Sequence, residues 1–115
     1  MMSHVLVECL IHVLADGLKL KRKPVVYTTT KEWFESFPTE EETFIKTEST
    51  GGAIYGTAIV NRNAILINLA SCYKDEIGEQ AIMSTILEEV LHMKYPKMSE
   101  PTMAKLIEKY NLKFR

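Results

Sequence analysis

Apolar positions near the start of the chain recur every three or four residues, and this spacing predicts an amphipathic helix over residues 3–15. The apolar residues of this segment are Val5, Leu6, Cys9, Leu10, Val13 and Leu14. Ser3 can cap the helix at its amino end, and Gly17 can end it. A basic run follows at Lys19, Lys21, Arg22 and Lys23. A solvated loop is the favoured interpretation of this run, and a nucleic-acid-binding patch is the alternative.

The pattern then changes from helical spacing to short runs rich in β-branched residues. Residues 24–30 form the first such run and predict a strand. Residues 31–49 contain Pro38 and the acidic run Glu40–Glu42. They predict an exposed connection with a helical turn at residues 33–37, in which the acidic run forms a solvated face.

Residues 53–60 and 64–70 predict two further strands, joined by a tight turn at residues 61–63. The turn contains Asn61 and Asn63, and asparagine tolerates the left-handed conformation that hairpin turns need. In the second strand, one set of alternate positions is apolar and predicts a buried face, whereas the other set is mixed. The first set is Ile65, Ile67 and Leu69, and the second is Leu66 and Asn68.

The strongest helical pattern covers residues 79–94. Its apolar residues form two neighbouring stripes, so we expect this helix to lie centrally in the fold. The stripes are Ile82, Ile86, Val90 and Met93, and Met83, Leu87 and Leu91. Pro96 ends the helix, and Ser99 caps a further one with Pro101 in its first turn. The elements predict an α+β fold with an N-terminal helix, a three-stranded largely antiparallel sheet, a central helix and a C-terminal helix.

Length and composition predict one globular domain over residues 1–115. The chain is 46% apolar and 25% charged, which excludes wholesale disorder and a collagen-like fibre. The formal net charge of −1 argues against a strongly basic nucleic-acid binder, so no nucleic-acid partner is expected. Cys9 and Cys72 are too few for a disulfide framework or a cysteine-based zinc site, and we expect two buried thiols.

The sequence gives no sign of a membrane segment. No apolar run approaches the ~20 residues of a membrane span. The first residues lack the basic region of a signal peptide, and they include Glu8 and Asp16. We therefore expect a cytoplasmic protein that does not bind a membrane.

The candidate chemistry lies on the central helix. Glu88 and His92 are four residues apart, so both side chains project from one face of the helix, one turn apart. That spacing suits two ligands on one metal ion. Glu89 lies about 100° around the helix, where it can reach a water on the open side of the metal without being a ligand. The same geometry underlies the His-Glu-x-x-His signature, although this chain has Glu88 at the first position.

The segment from Glu88 to Pro96, followed by Met98, Ser99 and Glu100, resembles the active-site helix of small zincin-like metallopeptidases of the SprT-like and WLM-like kinds. The resemblance extends to the strands at residues 52–56 and 65–68 that precede the helix. It implies a minimal zincin-like fold, with Glu88, His92 and Glu100 as ligands of a zinc ion. It also implies that Glu89 is the general base, and that the strand near residues 65–68 is an edge that binds an extended peptide by strand addition.

Glu88 is the departure from the family pattern, because a histidine ligand belongs at this position. A carboxylate is a legitimate zinc ligand, but two carboxylates lower the net charge of the site and the acidity of a bound water. The affinity of such a site for Mn²⁺ or Fe²⁺ would increase relative to its affinity for Zn²⁺.

Simpler interpretations remain open for each of these residues. Glu88 and Glu89 can be solvated surface, and Glu100 can favour the macrodipole of the helix that it begins. A di-iron site would need a second Glu-x-x-His pair, which the sequence lacks. His4, Glu8 and His12 recur every four residues and either pair at the edge of the core or supply a substitute ligand. Tyr55 and Tyr95 are candidates for oxyanion stabilisation.

Three functions are therefore considered. The first is a metal-dependent hydrolase of the peptidase type, with Glu89 as the general base on a metal-bound water. The second is a pseudoenzyme that retains the zincin-like fold as a binding module. The third is an unrelated small α+β protein of a virus or mobile element.

Overall fold

The structure is a computed structural model that describes residues 2–113, the last three by their backbone only. The first element, α1, is His4–Gly17. The Ser3 side chain accepts a hydrogen bond from the Leu6 amide at 3.3 Å, so this predicted cap is confirmed. The buried face of α1 consists of Val7, Ile11 and Ala15. Among residues 2–113, no helix is long and apolar enough to span a membrane.

Strand β1 is Val25–Tyr27, which is shorter than the predicted run. It ends early because Thr29 caps the next helix, α2, at Thr30–Ser36. The Thr29 hydroxyl accepts a hydrogen bond from the Glu32 amide, so the second half of the β-branched run begins a helix instead of continuing a strand. The predicted turn at residues 33–37 is thus part of a true helix.

The segment predicted as an exposed connection contains helix α3, Glu40–Ser49. Its first turn is Glu40, Glu41 and Glu42, and negative charge at the amino end of a helix is stabilised by the helix macrodipole. Phe44 is buried, which anchors this short helix to the fold. The acidic run is solvated as predicted, but the prediction of a connection without a helix is wrong.

Strand β2 is Gly56–Ile59 and strand β3 is Ala64–Ile67. The predicted tight turn joins them, and Asn63 is left-handed with φ 50°. Strand β3 stops before the predicted end at residue 70, because Asn68 caps helix α4, Leu69–Lys74. Its side chain accepts a hydrogen bond from the Ser71 amide at 3.4 Å.

The three strands form a mixed sheet in the order β1-β3-β2. Strand β3 pairs in parallel with β1 and antiparallel with β2. The prediction of an α+β fold with three strands is confirmed, but the prediction of a largely antiparallel sheet is wrong. The chain crosses from β1 to β3 through α2, α3 and β2, and this long crossover permits parallel pairing.

The central strand β3 is buried on both faces, so the predicted mixed face is wrong. Ile65 and Ile67 pack with α1 and with α5, the helix Glu79–Lys94. Ala64 and Leu66 pack on the opposite face with residues of α2 and α3, Trp33 and Phe44. A strand covered on both faces carries an unbroken apolar run, which is what residues 64–67 show.

Helix α5 lies centrally, as its two apolar stripes predict. One side packs in the sheet core through Ile82, Ile86 and Val90. Another packs through Leu87 and Leu91 against Met103 of helix α6, Glu100–Lys113. The helix is therefore held by two separate apolar contacts, and these fix which of its residues face the open edge of β2.

Candidate metal and catalytic site

Glu88 and His92 project together from α5 toward the edge of the sheet. His92 Nε2 lies 3.6 Å from Glu88 Oε1. The buried Val90 and Leu91 directly precede His92 and hold this part of the helix in the core, while His92 lines the cleft beside β2. The two side chains are half-buried, with 24% of His92 and 40% of Glu88 accessible.

Glu100 reaches the same point from α6. The chain leaves α5 at Lys94 and turns through residues 95–98, where the Met98 amide donates a hydrogen bond to the Tyr95 carbonyl at 3.1 Å. Ser99 then caps α6, because its hydroxyl accepts a hydrogen bond from the Thr102 amide at 3.4 Å. This turn brings Glu100 Oε1 to 3.9 Å from His92 Nε2.

The three side chains converge on one point. One ligand atom from each of Glu88, His92 and Glu100 lies within 4.8 Å of the other two. Tetrahedral ligands at about 2.1 Å from zinc lie roughly 3.4 Å apart, so two of the measured separations are close to that spacing. Imidazole and carboxylate are also donor types of known catalytic zinc sites, although those sites combine two histidines with one glutamate. The residues therefore fit a divalent cation in chemistry and, after small side-chain rotations, in spacing.

Glu89 is the buried carboxyl of the site. Its residue is 6% exposed, and it lies between the helix and the first residue of β2. Burial raises the pKa of Glu89 to about 8, with further increases from the charges of Glu88 and Glu100. A buried carboxyl with a strongly raised pKa beside a cleft is a feature of catalytic acids and bases.

Gly56 permits this close approach of the strand to the helix. A Cβ atom at Gly56 would lie 2.6 Å from Thr85 Cγ2, which is closer than such atoms can pack, and 3.2 Å from Glu89 Oε2. Gly56 lies in the strand at residues 52–56, for which the sequence predicts no role in the site beyond the resemblance. The signal was a glycine within a β-rich run, which often marks a close approach of another group to the backbone.

Strand β2, and not the strand at residues 65–68, is the edge beside the site. Strand β3 is central, so the predicted edge is wrong: the segment around Asn68 is buried and its backbone pairs with β2. Among residues 2–113, β2 pairs with β3 alone. The other side of β2 therefore presents its backbone to the cleft.

The register shows which backbone groups of β2 face outward. The Asn68 amide donates to the Tyr55 carbonyl at 2.8 Å, so these two residues form a hydrogen-bonded pair. Such pairs alternate along an antiparallel ladder, which makes Thr57 and Leu66 the next bonded pair. Gly56 and Ala58 consequently direct their N–H and C=O groups away from β3 and toward the open edge.

The helix and this edge enclose a cleft of about 310 Å³. It is lined by Gly56, Thr57, Ala58, Val60, Glu88, Glu89, His92 and Pro96. The cleft therefore contains the carboxyl of Glu89, two of the three candidate ligands and the outward backbone of β2. These groups can bind a cation, exchange a proton and pair with an extended chain at one place.

The other candidate residues lie elsewhere. His4 is 2.9 Å from the Thr28 hydroxyl and 3.6 Å from Glu8, and His12 Nε2 is 3.0 Å from the Pro24 carbonyl. These contacts join α1 to the chain around β1, away from Glu88 and His92, so the structure gives no support to the alternative of a substitute ligand from α1. The edge-of-core alternative, with its Glu–His pair, agrees with the structure.

The two tyrosines and one of the two cysteines also differ from expectation. The Tyr55 hydroxyl donates to Asp75 Oδ2 at 2.6 Å, and this hydrogen bond raises the pKa of Tyr55. Neither Tyr55 nor Tyr95 lines the cleft, so the structure gives no support to an oxyanion role. Both cysteines are free; Cys72 is buried as expected, but Cys9 is exposed. Burial raises the pKa of the Cys72 thiol.

No protein-family model, no curated protein and no solved structure matches the chain. The site must therefore be interpreted from its own geometry.

Proposed function

We propose that this chain is a metal-dependent hydrolase that acts on peptides and has a minimal zincin-like fold. The observation that carries the proposal is the convergence of Glu88, His92 and Glu100 beside the buried Glu89 and an open strand edge. Each of these groups alone has a simple structural explanation. Together they form a constellation that suits metal-assisted hydrolysis, because candidate ligands, a candidate general base and a substrate-binding edge lie beside one cleft.

The three converging side chains would hold the cation, and Zn²⁺, Mn²⁺ and Fe²⁺ are the candidates. A bound cation would supply Lewis acidity toward a carbonyl oxygen and would acidify a water. The carboxyl of Glu89 lies in the same cleft and is not one of the converging atoms, so in its ionised form it can take a proton from a water and return it to a leaving amine. The resemblance of residues 88–100 to the zincin active-site helix supports the same assignment.

The edge of β2 would hold the substrate as an added strand. Gly56 and Ala58 offer outward N–H and C=O groups, and an extended peptide can pair with both. Because these residues line the cleft together with Glu89 and His92, a paired peptide would place a backbone carbonyl beside the candidate chemistry. Peptides are thus the substrate class that the edge favours.

Metal titration tests the proposal. Protein purified without chelators is analysed for bound elements, then stripped and titrated with Zn²⁺, Mn²⁺ and Fe²⁺ by calorimetry. We expect one ion per chain, loss of binding in His92→Ala, and unchanged binding in the control Glu108→Ala, which removes an exposed carboxylate of α6. Glu89→Gln is expected to bind the ion and to lose hydrolysis of a fluorogenic peptide library. Absence of stoichiometric binding for every ion would reject the proposal.

Glu88 supports a second candidate, a pseudoenzyme that uses the fold for binding. A carboxylate at the first ligand position lowers the charge of the site, and an inactive descendant could tolerate it. Glu88→His distinguishes the two. If the substitution creates tight zinc binding and peptidase activity that the parent lacks, the parent is a decayed enzyme. An unrelated binding role gains no support from a structure that has this cleft.

A further inference from the structure

A second cavity, of about 400 Å³, lies at the carboxyl end of α5. We call it the basic pocket. It is lined by Lys19, Leu20, Lys21, Arg22, Val60, Asn63, Met93 and Lys94. The pocket therefore combines the basic run that follows α1 with the turn after β2 and the end of the central helix.

Four cationic side chains line the basic pocket without a carboxylate among its lining residues: Lys19, Lys21, Arg22 and Lys94. Within residues 2–113, none of these four forms an ion pair. Lys23, which belongs to the same run but does not line the pocket, pairs with Asp16 at 3.8 Å. A concave site lined by uncompensated charge of one sign attracts ligands of the opposite sign.

Two hydrogen bonds to backbone carbonyls hold the wall of the pocket. Lys19 is left-handed, with φ 59°, and the Leu20 amide donates to the Ala15 carbonyl at 2.9 Å. The Asn63 side-chain amide donates to the Lys23 carbonyl at 3.1 Å, which joins the basic run to the turn after β2. The cationic side chains thus extend from a backbone that is tied to both neighbouring elements.

The basic pocket continues the candidate active-site cleft. Val60 lines both cavities. At one end of the cleft Gly56 lies against Thr85 and Glu89, and at the other end Val60 shares the pocket with Met93. Strand β2 and helix α5 therefore run side by side in the same direction, from the carboxyl of Glu89 toward the basic pocket.

We propose that the basic pocket is a subsite for acidic side chains of an extended peptide that lies along the edge of β2. The inference rests on the proposed function and names its substrate class, namely acidic peptides. An extended chain advances about 3.3 Å per residue, so side chains two to four residues beyond the pairing with Ala58 would reach the pocket. The apolar lining from Leu20, Val60 and Met93 suits the methylene groups of such side chains.

The lining favours a peptide over a nucleic acid. No aromatic side chain is among the lining residues, whereas proteins that bind single strands stack the bases on aromatic rings. The continuity with a strand edge points in the same direction, because a strand edge pairs with a peptide backbone. A nucleic acid is therefore an outcome for the experiment to exclude.

Binding of matched peptides tests the inference independently of catalysis. The probes are fluorescent peptides with a common apolar centre and, at either end, an Asp/Glu run or a Ser/Gln run of equal length. Anisotropy is measured with the full chain in chelator at low and high salt. We expect one acidic version to bind roughly tenfold more tightly than its neutral partner, and salt to reduce this difference.

Charge variants locate the binding. Lys21→Glu/Arg22→Glu is expected to remove the preference for the acidic peptide. Lys105→Glu/Lys109→Glu changes the net charge by the same amount at exposed positions of α6, and this variant is expected to retain the preference for the acidic peptide. Lys19→Gly is a second variant, because glycine suits the left-handed backbone at this position. It should weaken acidic binding while the thermal stability is maintained.

The outcomes separate this inference from the proposed function. Any of three results would overturn the inference. The acidic and neutral peptides could bind equally, or both double variants could lose the acidic preference equally. A single-stranded oligonucleotide of equal charge could also displace the acidic peptide. Acidic binding at the pocket without hydrolysis after metal loading would support the subsite and reject the hydrolase. Hydrolysis without an acidic preference would reject the subsite alone.

Discussion

The proposed chemistry and the stability of the fold favour opposite forms of Glu89. A general base must be ionised, whereas burial favours the protonated carboxyl. Its carboxyl has a pKa of about 8 in the fold and an ordinary value of 4.5. The folded chain therefore holds a proton that the unfolded chain releases between these two values. In the metal-free protein, the free energy of unfolding should fall as the pH rises through this window, by up to about 1.4 kcal/mol per pH unit.

Glu89→Gln tests this linkage. The variant keeps the neutral shape of the side chain and has no carboxyl to ionise, so its stability should lose this part of the pH dependence. Denaturant unfolding of both proteins in chelator, between about pH 5 and 8, gives the difference. A parent and a variant with the same slope would show that Glu89 ionises normally in the fold.

Gly56 is the second residue whose identity the site depends on. We expect Gly56→Ala to destabilise the fold by about 1–3 kcal/mol, because the new methyl group would overlap Thr85 Cγ2 at 2.6 Å and lie tightly against Glu89 at 3.2 Å. Thr85→Ser removes the nearest atom and keeps the hydroxyl that donates to the Ala81 carbonyl. The double variant should therefore recover part of the lost stability in denaturant unfolding. Additive effects of the two substitutions would contradict this explanation.

Among the elements, those with strong local signals were predicted well. The apolar stripes of α5 and the caps of α1 and α6 lie within single turns of the chain, so the sequence contains the whole signal. Helices α3 and α4 were missed because each is short and depends on a local signal at its start, an acidic first turn in one and the Asn68 cap in the other. A capping residue within a β-rich run ended both mispredicted strands.

The strand order could not be obtained in the same way. Strand β1 pairs with a strand almost forty positions later in the chain. The three residues of β1 do not indicate which strand it pairs with, or whether the pairing is parallel or antiparallel. The spacing of Glu88 and His92 was readable because it is local. The strand edge beside the site could not be predicted from the sequence, because its position depends on which strand lies in the centre of the sheet.

The outward register of β2 makes a prediction about proline. Ala58→Pro removes an amide that faces the open edge, so the sheet should keep its stability and peptide binding should be lost. Thr57→Pro removes an amide that faces β3 and should destabilise the fold by ~1–3 kcal/mol. Thermal melts and peptide anisotropy on both variants check the pair. Retained peptide binding in a folded Ala58→Pro would argue against strand addition.

For the whole molecule, the candidate ligands join two helices that otherwise meet through a small apolar contact. Glu88 and His92 lie on α5 and Glu100 on α6, while Leu87, Leu91 and Met103 form the buried part of the contact between them. A cation bound here would favour the folded state by about 2.7 kcal/mol at a hundredfold excess over its Kd. Zn²⁺ should therefore raise the Tm of the parent and leave that of His92→Ala unchanged. An equal rise in both proteins would place the bound ion elsewhere.

The two faces of the sheet should contribute independently to that stability. Trp33 is fully buried on the face opposite α5, in edge contact with Tyr27 and Phe37, and its indole N–H has no hydrogen-bond partner within residues 2–113. Trp33→Phe should lower the free energy of unfolding by about 1–3 kcal/mol through the cavity it leaves, without the loss of a hydrogen bond. Because Trp33 does not line the cleft, Zn²⁺ should raise the free energy of unfolding of the parent and of the variant by the same amount. Denaturant unfolding of parent and variant, each with and without Zn²⁺, measures the loss of stability and the stabilisation by Zn²⁺. A smaller stabilisation by Zn²⁺ in the variant would show that the helices of the opposite face also position the ligands.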